Sequence, residues 1–149
     1  MFFYTVYIIY ISGKFFEKTM ADKIKFELEF PMNVSTPLLY QYISTSSGLA
    51  EWFAENVISR GEIFTFVWNG DQEKARVIAK KSTERVKFRW VDENNQDLEY
   101  FFEFRIQEDE ITKDVSLVVV DFAYEDEIDE AKQLWESQIS ELKLVLGSA

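Results

Sequence analysis

The chain has 149 residues, the length of about one domain, with a formal net charge of −11 and neither His nor Cys. Those two absences remove Ser-His-Asp and Cys-His nucleophilic chemistry, zinc sites built on imidazole or thiolate, and haem or iron–sulfur ligation by those residues. The acidic balance opposes binding to nucleic acid and to anionic lipid surfaces, where attraction to phosphate supplies much of the affinity, and the lack of Cys fits a reducing, cytoplasmic setting.

Residues 1–19 read as an N-terminal extension to a single domain over 20–149. Met1 to Ile11 is a dense apolar run, followed by Ser12-Gly13-Lys14. A helix that spans a bilayer takes about 20 apolar residues, so no membrane span is expected. The positive leader and small-residue cleavage site of a secretory signal are missing from the pattern. Three readings of the extension stand: a start of translation at Met20, an extra edge strand on this domain or a neighbouring copy, or a membrane anchor.

From Lys23 onward Phe26, Leu28 and Phe30 alternate with Lys25, Glu27 and Glu29, the period-2 pattern of a half-buried strand that Pro31 is expected to end. Ser35-Thr36-Pro37 predicts a helix start, with Ser35 as cap and Leu38, Leu39, Tyr42 and Ile43 on the helix. The Ser44 to Ser47 cluster and Gly48 are expected to break it before a second short helix that carries Leu49, Trp52 and Phe53 on one face.

The middle predicts hairpins. Ile63 to Trp68 is a strand, Asn69-Gly70-Asp71 suits the positive φ of a type I′ turn, and Glu73 to Lys81 returns with Ala75, Val77 and Ala79 on one face. Arg85 to Val91 sets Val86, Phe88 and Trp90 against Arg85, Lys87 and Arg89. Leu98 to Ile106 places Leu98, Tyr100, Phe102, Phe104 and Ile106 on one side, and a last strand runs from Thr112 to Tyr124. The final element is a helix with Asp126 as candidate N-cap, acidic residues at its positive end, and a stripe of Ile128, Ala131, Trp135, Ile139, Leu142 and Leu146; Gly147 suits the residue after its end. The fold class is therefore α+β: a curved antiparallel sheet wrapped around a long C-terminal amphipathic helix, with two short helices after the first strand.

That order is the helix-grip arrangement, and the chain resembles the START-like superfamily, nearest to the small bacterial proteins similar to the activator of heat-shock-protein-90 ATPase. The resemblance runs from about Lys23 to Leu146 and rests on Pro37-Leu38-Leu39-Tyr40-Gln41-Tyr42-Ile43-Ser44-Thr45, Gly48-Leu49-Ala50-Glu51-Trp52-Phe53, Phe64-Thr65-Phe66-Val67-Trp68 and the helix led by Trp135. These motifs are specific for fold and weak for function. Where the family often has a Gly-Trp pair at the start of the final helix, this chain has Leu134-Trp135. The resemblance implies a cavity between the concave face of the sheet and the last helix, often holding a lipid-like, sterol or polyketide-like molecule; in the chaperone-activator branch the same fold docks on a protein partner.

The residues expected to line such a cavity are Trp52, Phe64, Phe66, Trp68, Phe88, Trp90, Tyr100, Phe102, Phe104, Trp135 and Ile139. A core filled by the same rings is the competing expectation. Polar groups for a ligand are scarce: Tyr100, and Asp121, which shares a face with Val115, Leu117 and Val119 but is expected near a strand end in solvent. The basic stripe Arg85, Lys87, Arg89, Arg76 and Lys80 reads as the solvated side of the sheet, paired with Glu99 and Glu103. The acidic run Glu125, Asp126, Glu127, Asp129 and Glu130 lacks calcium-loop spacing. A non-enzymatic domain without cofactor or metal is expected, which binds an apolar small molecule. A chaperone-docking module and a cyclase- or hydrolase-like enzyme are the alternatives, and a homodimer would cover surplus aromatic surface.

Overall fold

The computed structural model describes residues 22–147, so the expectations for residues 1–19 lie outside it. Among the described residues one antiparallel seven-stranded sheet is formed by β1 (Ile24–Met32), β2 (Asn56–Arg60), β3 (Ile63–Trp68), β4 (Asp71–Lys81), β5 (Arg85–Val91), β6 (Asp97–Glu108) and β7 (Val115–Ala123), in the order β1-β7-β6-β5-β4-β3-β2. Helices α1 (Thr36–Ser44) and α2 (Ser46–Leu49) connect the two edge strands, and α3 (Ile128–Val145) follows a 3₁₀ turn at Glu125–Glu127. This is the expected α+β helix-grip arrangement.

Local chemistry explains most boundaries. The Ser35 side chain accepts from Leu38 N at the start of α1, as expected. At the other end Thr45 Oγ1 donates to Gln41 O and accepts from Gly48 N at 3.0 Å, so one hydroxyl closes α1 and caps α2. Asn69 and Gly70 both have positive φ, 50° and 82°, and Trp68 pairs with Asp71 across them, the geometry of the predicted two-residue turn. Gly147 has φ 72° just past α3.

Several expectations fail for physical reasons. Pro31 does not end β1, which continues to Met32: β1 is an edge strand, where a residue without an N–H is tolerated. The break after α1 falls at Thr45, inside the expected cluster, but Gly48 takes no part in it and lies inside α2, where a Cβ would come within 2.3 Å of Gln41 O, so glycine permits the close crossing of α1 and α2. The second helix is shorter than expected, and Trp52 and Phe53 sit in the turn after it. Strand β2 was not predicted; as an edge strand with Val57 alone buried, it carries no alternating signal. A register shift between Val77 and Ala79 sets Ala79 opposite Lys87 and takes it off the face of Ala75 and Val77. Asp126 is not the cap of α3; it lies in the 3₁₀ turn and Glu127 occupies the cap position without a capping hydrogen bond from its side chain.

Candidate functional site

Antiparallel partners share a face, so register alone defines what the concave side presents. On β5 and β6 it presents Val86 with Phe104 and Phe88 with Phe102; on β3 and β4, Phe64 with Ala75 and Phe66 with Glu73; on β1 and β7, Phe26 with Asp121 and Leu28 with Val119. Of the predicted lining residues, Trp52, Phe64, Phe66, Phe88, Trp90, Phe102, Phe104, Trp135 and Ile139 are buried, while Trp68 and Tyr100 are partly buried and packed against them.

The structure brings the rings of this set together around a residue missing from it. Phe53, carried in by the turn after α2, lies 5.1 Å from Phe66, 5.4 Å from Trp68, 5.4 Å from Phe102 and 5.9 Å from Trp135, centroid to centroid. Phe88 stacks on Phe102 at 4.8 Å, and Trp135 meets Phe104 edge-on at 5.8 Å. Indole N–H groups tie the layers: Trp52 donates to Tyr42 O and Trp68 to Phe53 O, each at 2.9 Å. The middle of the concave face is thus ring against ring.

One end of the same face is polar. Asp121 is 6% exposed rather than solvated, which corrects the expectation for it, and its Oδ2 accepts from Trp135 Nε1 at 2.8 Å. Strand β7 runs to Ala123, so Asp121 lies within the sheet and its inward parity carries it under α3. Burial pushes its carboxyl up to about 6, against the hydrogen bond from Trp135. Burial likewise lifts Glu73 to about 7, with Lys23 acting in the opposite sense. Lys23, just before β1, places its ammonium 4.9 Å from the ring centre of Tyr100 and 5.3 Å from that of Tyr124, and its backbone N–H donates to Tyr100 Oη. Burial lowers the pKa of Lys23, while Asp121, Glu127, Glu73 and Glu99 act to keep it charged. Glu127 is itself buried at the start of α3. An open depression beside Glu73 is lined mainly by residues off the inner face, Lys74 in register with Val91 and the neighbouring Gln72, Asp92, Glu93 and Leu98.

Lys23, Glu73, Tyr124 and Glu127 were not foreseen as a group. The signal for Glu73 was in the hairpin: a two-residue turn that sets Trp68 opposite Asp71 also sets Phe66 opposite Glu73. Tyr100 does not continue the inner row of Phe102 and Phe104. The β5–β6 register shifts between Arg89 and Val91, and Tyr100 meets Phe122, whose register partner Lys25 is on the outer side, at 5.2 Å.

The basic stripe lies mainly on the convex side. Arg85 pairs with Glu103 at 3.4 Å as expected, but Arg76 pairs with Asp97 and Arg89 donates to Leu98 O, so Glu99 is not the partner the alternation suggested. Among the described residues no cluster of three or more carboxylates has the geometry to hold a metal ion, and no helix is long and apolar enough to cross a membrane.

A family model described as a START-like superfamily domain matches residues 20–148. The solution structure of BfR322 from Bacteroides fragilis is 35% identical over 84% of this chain and 92% of that chain, with a TM-score of 0.60. The Aha1 dimer from Colwellia psychrerythraea is similar in fold at 15% identity, covering 83% of this chain and 96% of that one, with a TM-score of 0.68. CalU16 from Micromonospora echinospora is similar at 14% identity over 87% and 79%, with a TM-score of 0.62. No curated protein matches the sequence.

Proposed function

Because the chain belongs to the START-like superfamily, we propose that it is a binding module for a small molecule with an apolar body and one polar head, taken up between the concave face and α3. The observation that supports this reading is the inward placement of Asp121 and Glu73 at one end of an otherwise aromatic face. Ligand sites are mostly apolar, with a few polar groups set to fix orientation, and a carboxyl buried without that use is a cost to folding. The head is held at the polar end and the body lies against the rings that adjoin its two acids, Trp135 and Phe26 beside Asp121 and Phe66 opposite Glu73. Native mass spectrometry of the purified protein, followed by organic extraction, tests the reading. A bound apolar species supports it. A bare protein mass, together with tryptophan fluorescence that does not respond to a panel of arylalkyl alcohols, amines and acids, rejects it.

A second reading is cyclase-like acid–base catalysis, favoured by Glu73, whose carboxyl titrates at about 7, close to the working pH that suits a general acid or base. Turnover of the extracted compound, lost in Glu73→Gln while binding persists, separates catalysis from binding. The relative from Colwellia psychrerythraea is a dimer, and we propose a homodimer here as the assembly that sizing chromatography should test.

A further inference from the structure

Lys23 occupies a place at the polar end that the sheet does not require of it. It precedes β1, its N–H donates to Tyr100 Oη, and its ammonium lies over Tyr100 and Tyr124 at 4.9 and 5.3 Å. Those ring distances fall within the range at which a cation is attracted by an aromatic face. Four carboxylates, Asp121, Glu127, Glu73 and Glu99, act on that one ammonium. Two are fixed by the fold: Asp121 by its register with Phe26 and its bond from Trp135, and Glu73 by its register with Phe66.

Rings and acids together make the place selective. A carboxylate ligand meets an excess of like charge there, in a chain whose net charge is −11. A neutral head leaves the charge as it was. An ammonium that takes the place of Lys23 keeps the repulsion among the acids offset and finds aromatic faces already in position.

We infer that the polar end of the sheet, where Lys23 meets Tyr100 and Tyr124, is an ammonium site, that the ligand carries a protonated amine on an apolar body, and that Lys23 is the resident occupant which such a ligand displaces. The inference rests on the binding-module reading and names its ligand class. Lys23 thereby becomes a specificity-determining residue: it offsets part of the acids' charge when the site is empty and sets the affinity for any amine that replaces it.

The test is a fluorescence titration of the full chain with three compounds of one skeleton, phenylbutylamine, phenylbutanol and phenylbutyrate, at fixed ionic strength. The amine is expected to bind roughly tenfold more tightly than the alcohol, with the acid weakest. Lys23→Met is expected to tighten the amine by roughly three- to tenfold and to leave the alcohol nearly unchanged. Glu73→Gln, a second variant on a different strand, should weaken the amine selectively, whereas Glu108→Gln at the far end of β6 should not. If the alcohol binds and the amine binds no better, the module reading survives and the ammonium site is overturned. The inference is equally overturned if Lys23→Met weakens the amine, or if Glu108→Gln costs as much as Glu73→Gln, which would mark attraction to net charge alone. If none of the three compounds binds, both fall.

Discussion

Between Phe53 and Phe104 the concave face is closed ring on ring, whereas the end of the sheet toward Lys23 carries two inward carboxyls, and two tyrosines under an ammonium. One register builds both regions, because whichever residue has inward parity is buried whether apolar or not. The difference lies in what each region contributes. Packed rings gain transfer and contact energy. Asp121 loses solvation that its hydrogen bonds from Trp135 and from the Phe122 backbone only partly return. An apolar residue of similar volume in place of Asp121 would stabilise such a fold as well or better, so the polar end costs the fold stability.

The sharpest way to break this comparison is to cut the packed region at its centre. Phe102 lies within ring contact of Phe88 at 4.8 Å, Trp90 at 4.9 Å and Phe53 at 5.4 Å. Phe102→Ala is expected to cost about 3–5 kcal/mol in urea unfolding. A loss below about 1 kcal/mol would mean that the middle is not closely packed and that the two regions are less different than their rings indicate.

The next effect belongs to the polar end and has the opposite character, since it depends on pH. The Asp121 carboxyl is raised from 3.8 to about 6 and that of Glu73 from 4.5 to about 7. For an acid whose pKa is higher folded than unfolded, the folded state holds the proton more tightly. The stability it contributes is complete below the unfolded value and is lost as pH rises through the folded one. For Asp121 the loss falls between pH 3.8 and about 6 and amounts to at most about 3 kcal/mol. Urea midpoints should therefore rise on acidification from neutral pH, and Asp121→Asn should flatten the slope over that window. A slope unchanged in Asp121→Asn would show that the carboxyl is solvated.

Smaller still is the effect of removing the donor that joins the two regions. Trp135→Phe keeps the ring contacts with Phe53 and Phe104 but deletes the 2.8 Å bond to Asp121. It should cost about 1–2 kcal/mol and raise the Asp121 pKa further, since that bond is the largest of the influences that hold it down. Carbon NMR of the labelled side-chain carboxyl reads the shift directly. Retention of the wild-type value would show that the indole does not serve the acid.

The packed region was legible because its signal is periodic and local. Alternation in β1, in β5 and in β6 from Phe102 to Ile106, and the stripe on α3, each repeat over several residues, and the Asn69-Gly70 turn is a strong local signal; each is present where expected. The polar end was not legible because it depends on counting register and on contacts distant in sequence. Glu73 stands in a run of polar residues beside a turn and looks solvated until Phe66 is set opposite it. Asp121 looks like a strand end until Trp135, fourteen residues on, returns to donate to it. The spacing of Leu49, Trp52 and Phe53 suggests one face of a helix, whereas the turn after α2 carries Phe53 into the centre of the interior. Strand β2, with Ile58 45% exposed, had no buried face to leave a pattern.

The smallest effect is the one that best isolates the polar end. On the convex face Lys87 holds its ammonium 4.0 Å from the ring centre of Phe101, closer than Lys23 lies to either tyrosine. The pair chemistry is the same, but Lys87 stands in register with Glu103 on the outer side, away from Asp121 and Glu73. Lys87→Met should cost no more than about 1 kcal/mol and leave the titration with phenylbutylamine unchanged, while Lys23→Met tightens it. Both variants remove one positive charge from the chain, so their effects on net charge are identical and cancel in the comparison. A difference between them therefore reports where the ammonium stood. If Lys87→Met tightens the amine as much as Lys23→Met does, position has no part in the effect, and the distinction between the polar end and the rest of the surface fails.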